Sequence, residues 1–277
     1  MVCAIPAERA HDLQPAEPAK LPPAYGRQNQ GSKKTPQTDA IFASVRRVNA
    51  LADADPQTLR ISIDTKATVH VGDYCRGGRS RGVVALKALD HDMCVKEKLV
   101  PGGILEPASG QSFLFFGTSY KTSDFICDGL LLWWQRRSQH LCGLKQLVIN
   151  LDNGPECNAR RSQFLLRMSE FADLTGLGVR LIYYPPYHSK YNAIERYWAG
   201  LEKSWNGYLL STASAILNRA GNFLWKGART IVRLLDEVYE KGVKVCGSEK
   251  TALEHRLQRA ADLPWWDITI HPKRVLF

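Results

Sequence analysis

The chain has no C-x-x-C pair. Its seven cysteines stand singly at positions 3, 75, 94, 127, 142, 157 and 246. That excludes a zinc ribbon or a dithiol redox motif, and the odd count argues against a disulfide framework. No apolar run is long enough to cross a membrane, and no signal-peptide pattern is present, so a reducing cytoplasm is the expected setting. No internal repeat is found, which excludes a solenoid. Acidic residues are the scarcer charge: 27 Asp and Glu against 37 Lys and Arg, a formal net charge of +10. Such a surface suits a polyanion, whose counterions it releases on binding. What is present in quantity is apolar residue, 44% of 277, enough for a full-sized core.

Residues 1–37 are rich in Pro, Ala, Gln and Lys without apolar periodicity and read as a flexible leader. Ile41, Phe42, Val45, Val48 and Leu51 then recur at helical spacing, so 38–58 reads as a docking helix and linker. From Leu59 to Asp64 the pattern alternates, with Leu59, Ile61 and Ile63 facing one way and Asp64 the other. Strand propensity continues over 68–71, and RGGRSRG at 76–82 reads as a basic turn. VVALKAL (83–89) and SFLFFGTS (112–119) read as strands with a Pro/Gly-rich loop between them. A helix capped by Thr122 or Ser123 is expected to run to His140. LKQLVINL (144–151) suits a buried parallel strand, 158–175 a helix and VRLIYY a strand. A helix follows PPYHSKYN. This order is that of an RNase H-like α/β domain over 59–210, a mixed sheet flanked by helices. The remainder, 211–277, reads as a helical extension packed on that domain, with RTIVRLLDEVYEKGV its clearest helix.

Three carboxylates stand in telling places. Asp64 lies on a strand, Asp152 ends LVINLD before NGPE, and Glu195 opens the helix of YNAIERYW. Attack on a phosphodiester must remove a proton from the nucleophile and neutralise charge on the leaving oxygen. Two divalent ions about 3.5–4 Å apart meet both needs, and they take hard carboxylate oxygens. Asp64, Asp152 and Glu195 are therefore the candidate metal ligands. Ile194, Trp198, Leu201 and Trp205 mark the buried stripe of the Glu195 helix, and Glu202 reads as a solvated face charge. His188, Lys190 and Tyr191 are candidate DNA contacts from the loop before that helix, and Arg76, Arg79 and Arg81 from the basic turn.

ISIDTKATVHVGDYCRGGRSR, LVINLDNGPE, YYPPYHSKYNAIERYW and a downstream WNG closely resemble the Azo-type transposases of bacterial insertion sequences. Their catalytic part is the Rhodopirellula-type DDE transposase domain. The resemblance runs from about Lys33 to the C-terminal region. It implies an RNase H-like fold, a DDE site with two Mg²⁺ (Mn²⁺ as substitute), and cleavage and strand transfer at DNA element ends. On it, Asp64, Asp152 and Glu195 take the roles of the three acids. Partners are DNA and a second copy of the chain, in a dimer or larger, associated with the bacterial nucleoid. Family members are longer at the N-terminus, where a helix-turn-helix region reads the element's ends; here a short leader stands instead. The same residues leave two other functions open: an RNase H-like nuclease without strand transfer, and a truncated, non-catalytic DNA-binding remnant.

Overall fold

In the computed structural model, which describes residues 35–74, 76, 77, 87, 88 and 97–273, the predicted alternation becomes strand β1 (Thr58–Thr65). Helix α1 (Thr38–Ala54) precedes it and buries Ile41, Val45, Val48 and Ala52, the expected docking face. These residues pack on Val148, Ile182 and Tyr184 of the neighbouring strands. Arg60 of β1 fastens the helix by an ion pair with Asp53 at 2.7 Å and a bond to Asn150 at 3.3 Å, and Asn150 bonds Asn49 in turn.

The chain continues through β2 (Val69–Val71), β3 (Glu97–Leu105), β4 (Ser112–Gly117), α2 (Ser123–Arg137), β5 (Gln146–Leu151), α3 (Ser162–Thr175), β6 (Gly178–Tyr183) and α4 (Ala193–Trp205). Strands β4-β3-β1-β5-β6 are adjacent in that order, with β3 antiparallel to both neighbours and β5 parallel to β1 and β6. This is the RNase H-like mixed sheet expected from the sequence. One face packs on α2 and α3 through Ile61, Ile63, Leu147, Ile149 and Phe125 among others. The other carries α1 at one end and α4 at the other, where Leu114 and Phe116 meet Tyr197, Trp198 and Leu201. Helix α2 is capped as predicted, Thr122 Oγ1 accepting from Phe125 N.

Two expectations are corrected. KLVPGGIL, read as part of a loop, is the body of β3. Pro101 is tolerated because its carbonyl accepts from Lys66 N just beyond the last β1 pair, Thr65↔Gly102, so its missing N–H faces the end of the β1 ladder. The glycines serve packing: a Cβ on Gly103 would stand 2.8 Å from the Trp198 indole, and one on Gly102 2.3 Å from the Phe115 ring. The strand expected at 83–89 lies largely outside the described residues.

The second correction is the C-terminal extension, which mixes short helices and strands. After α5 (Ala213–Gly221) come the β7 (Leu224–Trp225) and β8 (Ala228–Arg229) hairpin and β9 (Ile231–Leu234). Then follow α6 (Gly247–Glu254), β10 (Leu257–Arg259) and β11 (Asp267–Ile270). The supposed helix RTIVRLLDEVYEKGV supplies β9, which pairs in parallel with β4 from Phe113↔Ile231 to Phe116↔Leu234. Helical spacing of apolar residues is a weak preference, and an open sheet edge offers a ladder that outweighs it. Strand β11 extends the other edge on β6. Among the described residues, no helix is long and apolar enough to cross a membrane.

Replacing Gly103 by valine forces its side chain into Trp198. Urea denaturation of Gly103→Val is expected to show a loss of about 1–3 kcal/mol, the cost of overpacking.

Candidate active site

The β1–β5 register brings the two aspartates together. The parallel pairs run from Thr58↔Gln146 to Ser62↔Asn150. Two residues further along both strands, that register sets Asp64 level with Asp152, which follows directly on β5. Glu195 stands in the first turn of α4.

Helix α4 is fastened to β1 by a buried polar joint. Ser62 Oγ donates a short hydrogen bond to Asn192 Oδ1 and accepts from Ile194 N at 3.1 Å. Asn192 Nδ2 reaches the Ile63 carbonyl at 3.4 Å. Ser62 and Asp64 are two residues apart and share a strand face, so the joint places the start of α4 over Asp64. One turn beyond Glu195, Trp198 Nε1 donates to Asp64 Oδ2 at 3.0 Å. Gly103, paired with Asp64 across β3, leaves the space that the indole fills.

The loop after Asp152 is held as closely. Cys157 Sγ donates to the Asp152 carbonyl, Tyr183 Oη to the Cys157 carbonyl at 3.0 Å, and Ser123 Oγ to the Glu156 carbonyl at 2.6 Å. Lys121 pairs with Glu156 at 3.7 Å. Asp64, Asp152, Lys121 and Glu156 wall a cleft of about 110 Å³, with Thr65 and Cys157. Glu195 is not one of its walls and acts on it through its charge. A larger cavity of about 230 Å³ lies between the β3–β4 turn and the end of α2. Its carboxylate, Glu106, is already neutralised by Arg137 at 2.7 Å, so it has no acid pair.

Burial, and then the charges of Asp152 and Glu195, push the Asp64 carboxyl up to about 8. Asp152 is raised by burial and by Glu195, against a lowering pull from Lys121. The Cys157 thiol is held well above its usual range by burial, and the nearby carboxylates add to the effect. Hard oxygen donors whose negative charge opposes the ionisation of Asp64 and Asp152, beside a thiol kept neutral, suit hard divalent cations. Among the described residues, however, no three His, Cys, Asp or Glu side chains converge closely enough to hold an ion as they stand. The acids share one electrostatic neighbourhood without forming a closed ligand set.

The expected DNA contacts fare unevenly. His188 is buried, its Nδ1 bonded to the Pro186 carbonyl at 2.7 Å and its ring edge-on to Phe42 of α1. It therefore braces the loop instead of facing solvent, where a phosphate contact was expected. Lys190 and Tyr191 are exposed, the ammonium lying 5.3 Å from the Tyr191 ring centre. Arg76 is partly buried over the Trp205 ring at 5.4 Å, and desolvation lowers its pKa. Arg79 and Arg81 lie outside the described residues. Glu202, read as solvated, pairs with Lys66 at 2.7 Å.

Sequence reasoning missed Ser62, Asn192, Lys121 and the polar role of Trp198. Asn192 occupies the N-cap position of a helix whose first turn carries Glu195, and that position was its available signal. Trp198 was read only as part of the apolar stripe.

The raised Asp64 pKa has a definite sign. Ionising this carboxyl costs the fold nothing below about pH 4 and progressively more as pH rises towards about 8. In chelator-treated protein, Asp64→Asn is expected to raise the melting temperature at pH 8 and to change it little at pH 4. An equal shift at both pH values would contradict the assignment.

The solved structures it resembles include the Mos1 transposase paired-end complex with left transposon end, at 9% identity and a TM-score of 0.47, covering 72% of this chain and 57% of that one. The Mos1 strand transfer complex gives 8% identity, a TM-score of 0.45 and coverage of 72% and 56%. The Mos1 mariner paired end complex with Mn gives 8%, 0.42, and 65% and 51%. The chain thus spans little more than half the length of these Mos1 chains. No curated protein matches it. The sequence model of the Rhodopirellula transposase DDE domain matches residues 25–272. With nearly its whole length matched, through all three acidic motifs and the strands at both edges of the sheet, the chain belongs to the Rhodopirellula transposase DDE domain family.

Proposed function

We propose that the chain is the catalytic part of an insertion-sequence transposase that cuts and joins DNA at Asp64, Asp152 and Glu195. The observation that carries this reading is that Asp64 on β1 stands level with Asp152 just beyond the parallel strand β5, within the field of Glu195. On this reading the three carboxylates hold two Mg²⁺, or Mn²⁺ in its place. Bound there, the ions lower the pKa of the attacking oxygen and neutralise charge on the leaving one.

The chain's own groups set the stage for that chemistry. Trp198 holds Asp64 through Oδ2 on the wall of the cleft. Lys121 puts a positive charge on the cleft wall, where a scissile phosphate can meet it. Lys190, Tyr191 and Arg76 contact the DNA around the site. In cleavage, a water oxygen attacks phosphorus and the bond to the 3′-oxygen breaks. In strand transfer, the freed 3′-hydroxyl oxygen attacks a target phosphorus and displaces a 3′-oxygen there. Work on two DNA ends favours a dimer or larger assembly, acting at the nucleoid in the bacterial cytoplasm.

Incubating the protein with an oligonucleotide of the element's end and a target duplex tests this. Nicked and joined products are expected with Mg²⁺ or Mn²⁺ and none with chelator. Asp152→Ala is expected to lower both by more than about 100-fold, the upper end of what loss of an outer-shell partner costs. Purely hydrolysed products would indicate a nuclease instead. An inactive wild type, or a fully active Asp152→Ala, would refute the reading.

Trp198→Phe keeps an aromatic ring over Gly103 but removes the donor to Asp64. Its activity is expected to fall about 10–100-fold, with weaker Mn²⁺ binding by calorimetry and an intact fold by circular dichroism. Unchanged Mn²⁺ affinity and activity would show that Trp198 only packs.

A further inference from the structure

Tyr120 is exposed one residue before Lys121, in the β4–α2 loop that walls the acidic cleft. Two ammonium groups from elsewhere in the chain converge on its ring. Lys241 Nζ lies 4.6 Å from the ring centre and Lys98 Nζ 6.0 Å. Lys98 comes from the start of β3 and Lys241 from the irregular segment after β9. That segment is fixed against the loop: Leu235 N donates to the Phe116 carbonyl at 2.7 Å, Tyr239 N to Ser119 Oγ at 2.8 Å, and Tyr239 Oη to Asp128 at 3.0 Å.

Among the described residues, neither lysine has a carboxylate partner, whereas Lys66, Lys121 and Lys273 each have one. Glu97, Asp236, Glu237 and Glu240 are near in sequence and exposed, but pair with neither. The π face of Tyr120 attracts both ammonium groups. The ring does not neutralise either charge, and an anion beside it would. A half-open aromatic ring flanked by two cations that have no carboxylate partner among the described residues suits a sugar–phosphate backbone: cations take the phosphates and the ring takes a sugar or base.

We propose that Lys98, Tyr120 and Lys241 form a track for the DNA strand that enters or leaves the acidic cleft past Lys121. The proposal rests on the reading of the chain as a DNA-processing enzyme. It gives the C-terminal segment a share in substrate binding, through Lys241 and the bonds that hold the Tyr120 loop.

The test is fluorescence anisotropy with a labelled DNA duplex in chelator, so that binding is read without cleavage, across a salt series. Each phosphate contact contributes about 0.9 to the slope of log affinity against log salt. Lys98→Ala/Lys241→Ala is therefore expected to flatten the slope by about 1.8, so that the wild type loses about tenfold more affinity than the variant between 50 and 200 mM salt. Tyr120→Leu is expected to weaken binding several-fold with the slope kept. The control Lys145→Ala/Lys250→Ala removes equal charge from other exposed sites and is expected to keep the wild-type slope.

A wild-type slope in Lys98→Ala/Lys241→Ala, an equal flattening in the control, or a wild type that binds no DNA would each overturn the track. If the wild type nicks DNA and the slope is unchanged, the track fails and the catalytic reading stands. If the slope flattens but the wild type never nicks, the track stands and the catalytic reading fails.

Discussion

The joint between Ser62 and the start of α4 is what the rest of the site depends on. One hydroxyl, sealed between strand and helix, donates to Asn192 and accepts from the Ile194 amide. A buried polar group with a partner removed leaves the other unsatisfied, at a cost of about 1–3 kcal/mol. The helix therefore has a strongly preferred seat on β1. Glu195 and Trp198 inherit their positions from that seat, as Asp64 inherits its own from β1. Two elements far apart in sequence are referred to one another two residues before Asp64.

That accuracy is needed because the site works against the fold. Asp64 and Asp152 are both raised by burial and by neighbouring negative charge. Such a cluster persists only where packing over-determines it. Here the sheet is covered on both faces, with Phe113, Phe115, Phe125 and Trp133 in one core and Tyr197, Trp198 and Trp205 in the other. Lys121 pulls Asp152 back down with its positive charge, and it is shared with Glu156.

Much of this was legible in the sequence. Helix α1, strands β1, β5 and β6 and the stripe of α4 all showed in short-range periodicity, and Asp64, Asp152 and Glu195 stood out by their settings at strand ends and a helix start. What was not legible depended on contacts between distant residues. Pro101, Gly102 and Gly103 have a loop composition, and only Phe115 and Trp198 lying over them explain why they form a strand. Ile231–Leu234 fits a helix pattern as well as a strand pattern, and the open edge of β4 decided between them. His188 looked like a substrate contact until Phe42, far upstream, was seen to cover it. Tertiary partners decided each of these placements, and none leaves a trace in a local window.

The pairing of β4 with β9 has a kinetic corollary. Phe113 must find Ile231, and Val179 must find Ile270, across very long stretches of polymer. Loop-closure entropy has to be met before such ladders yield any return, so high contact order slows folding. Both borders of the sheet are completed by strands that follow its central five in the chain. A nascent polypeptide thus stays open at both borders until those strands have been made, and the loop before α2 acquires its anchor only after residue 239 has left the ribosome.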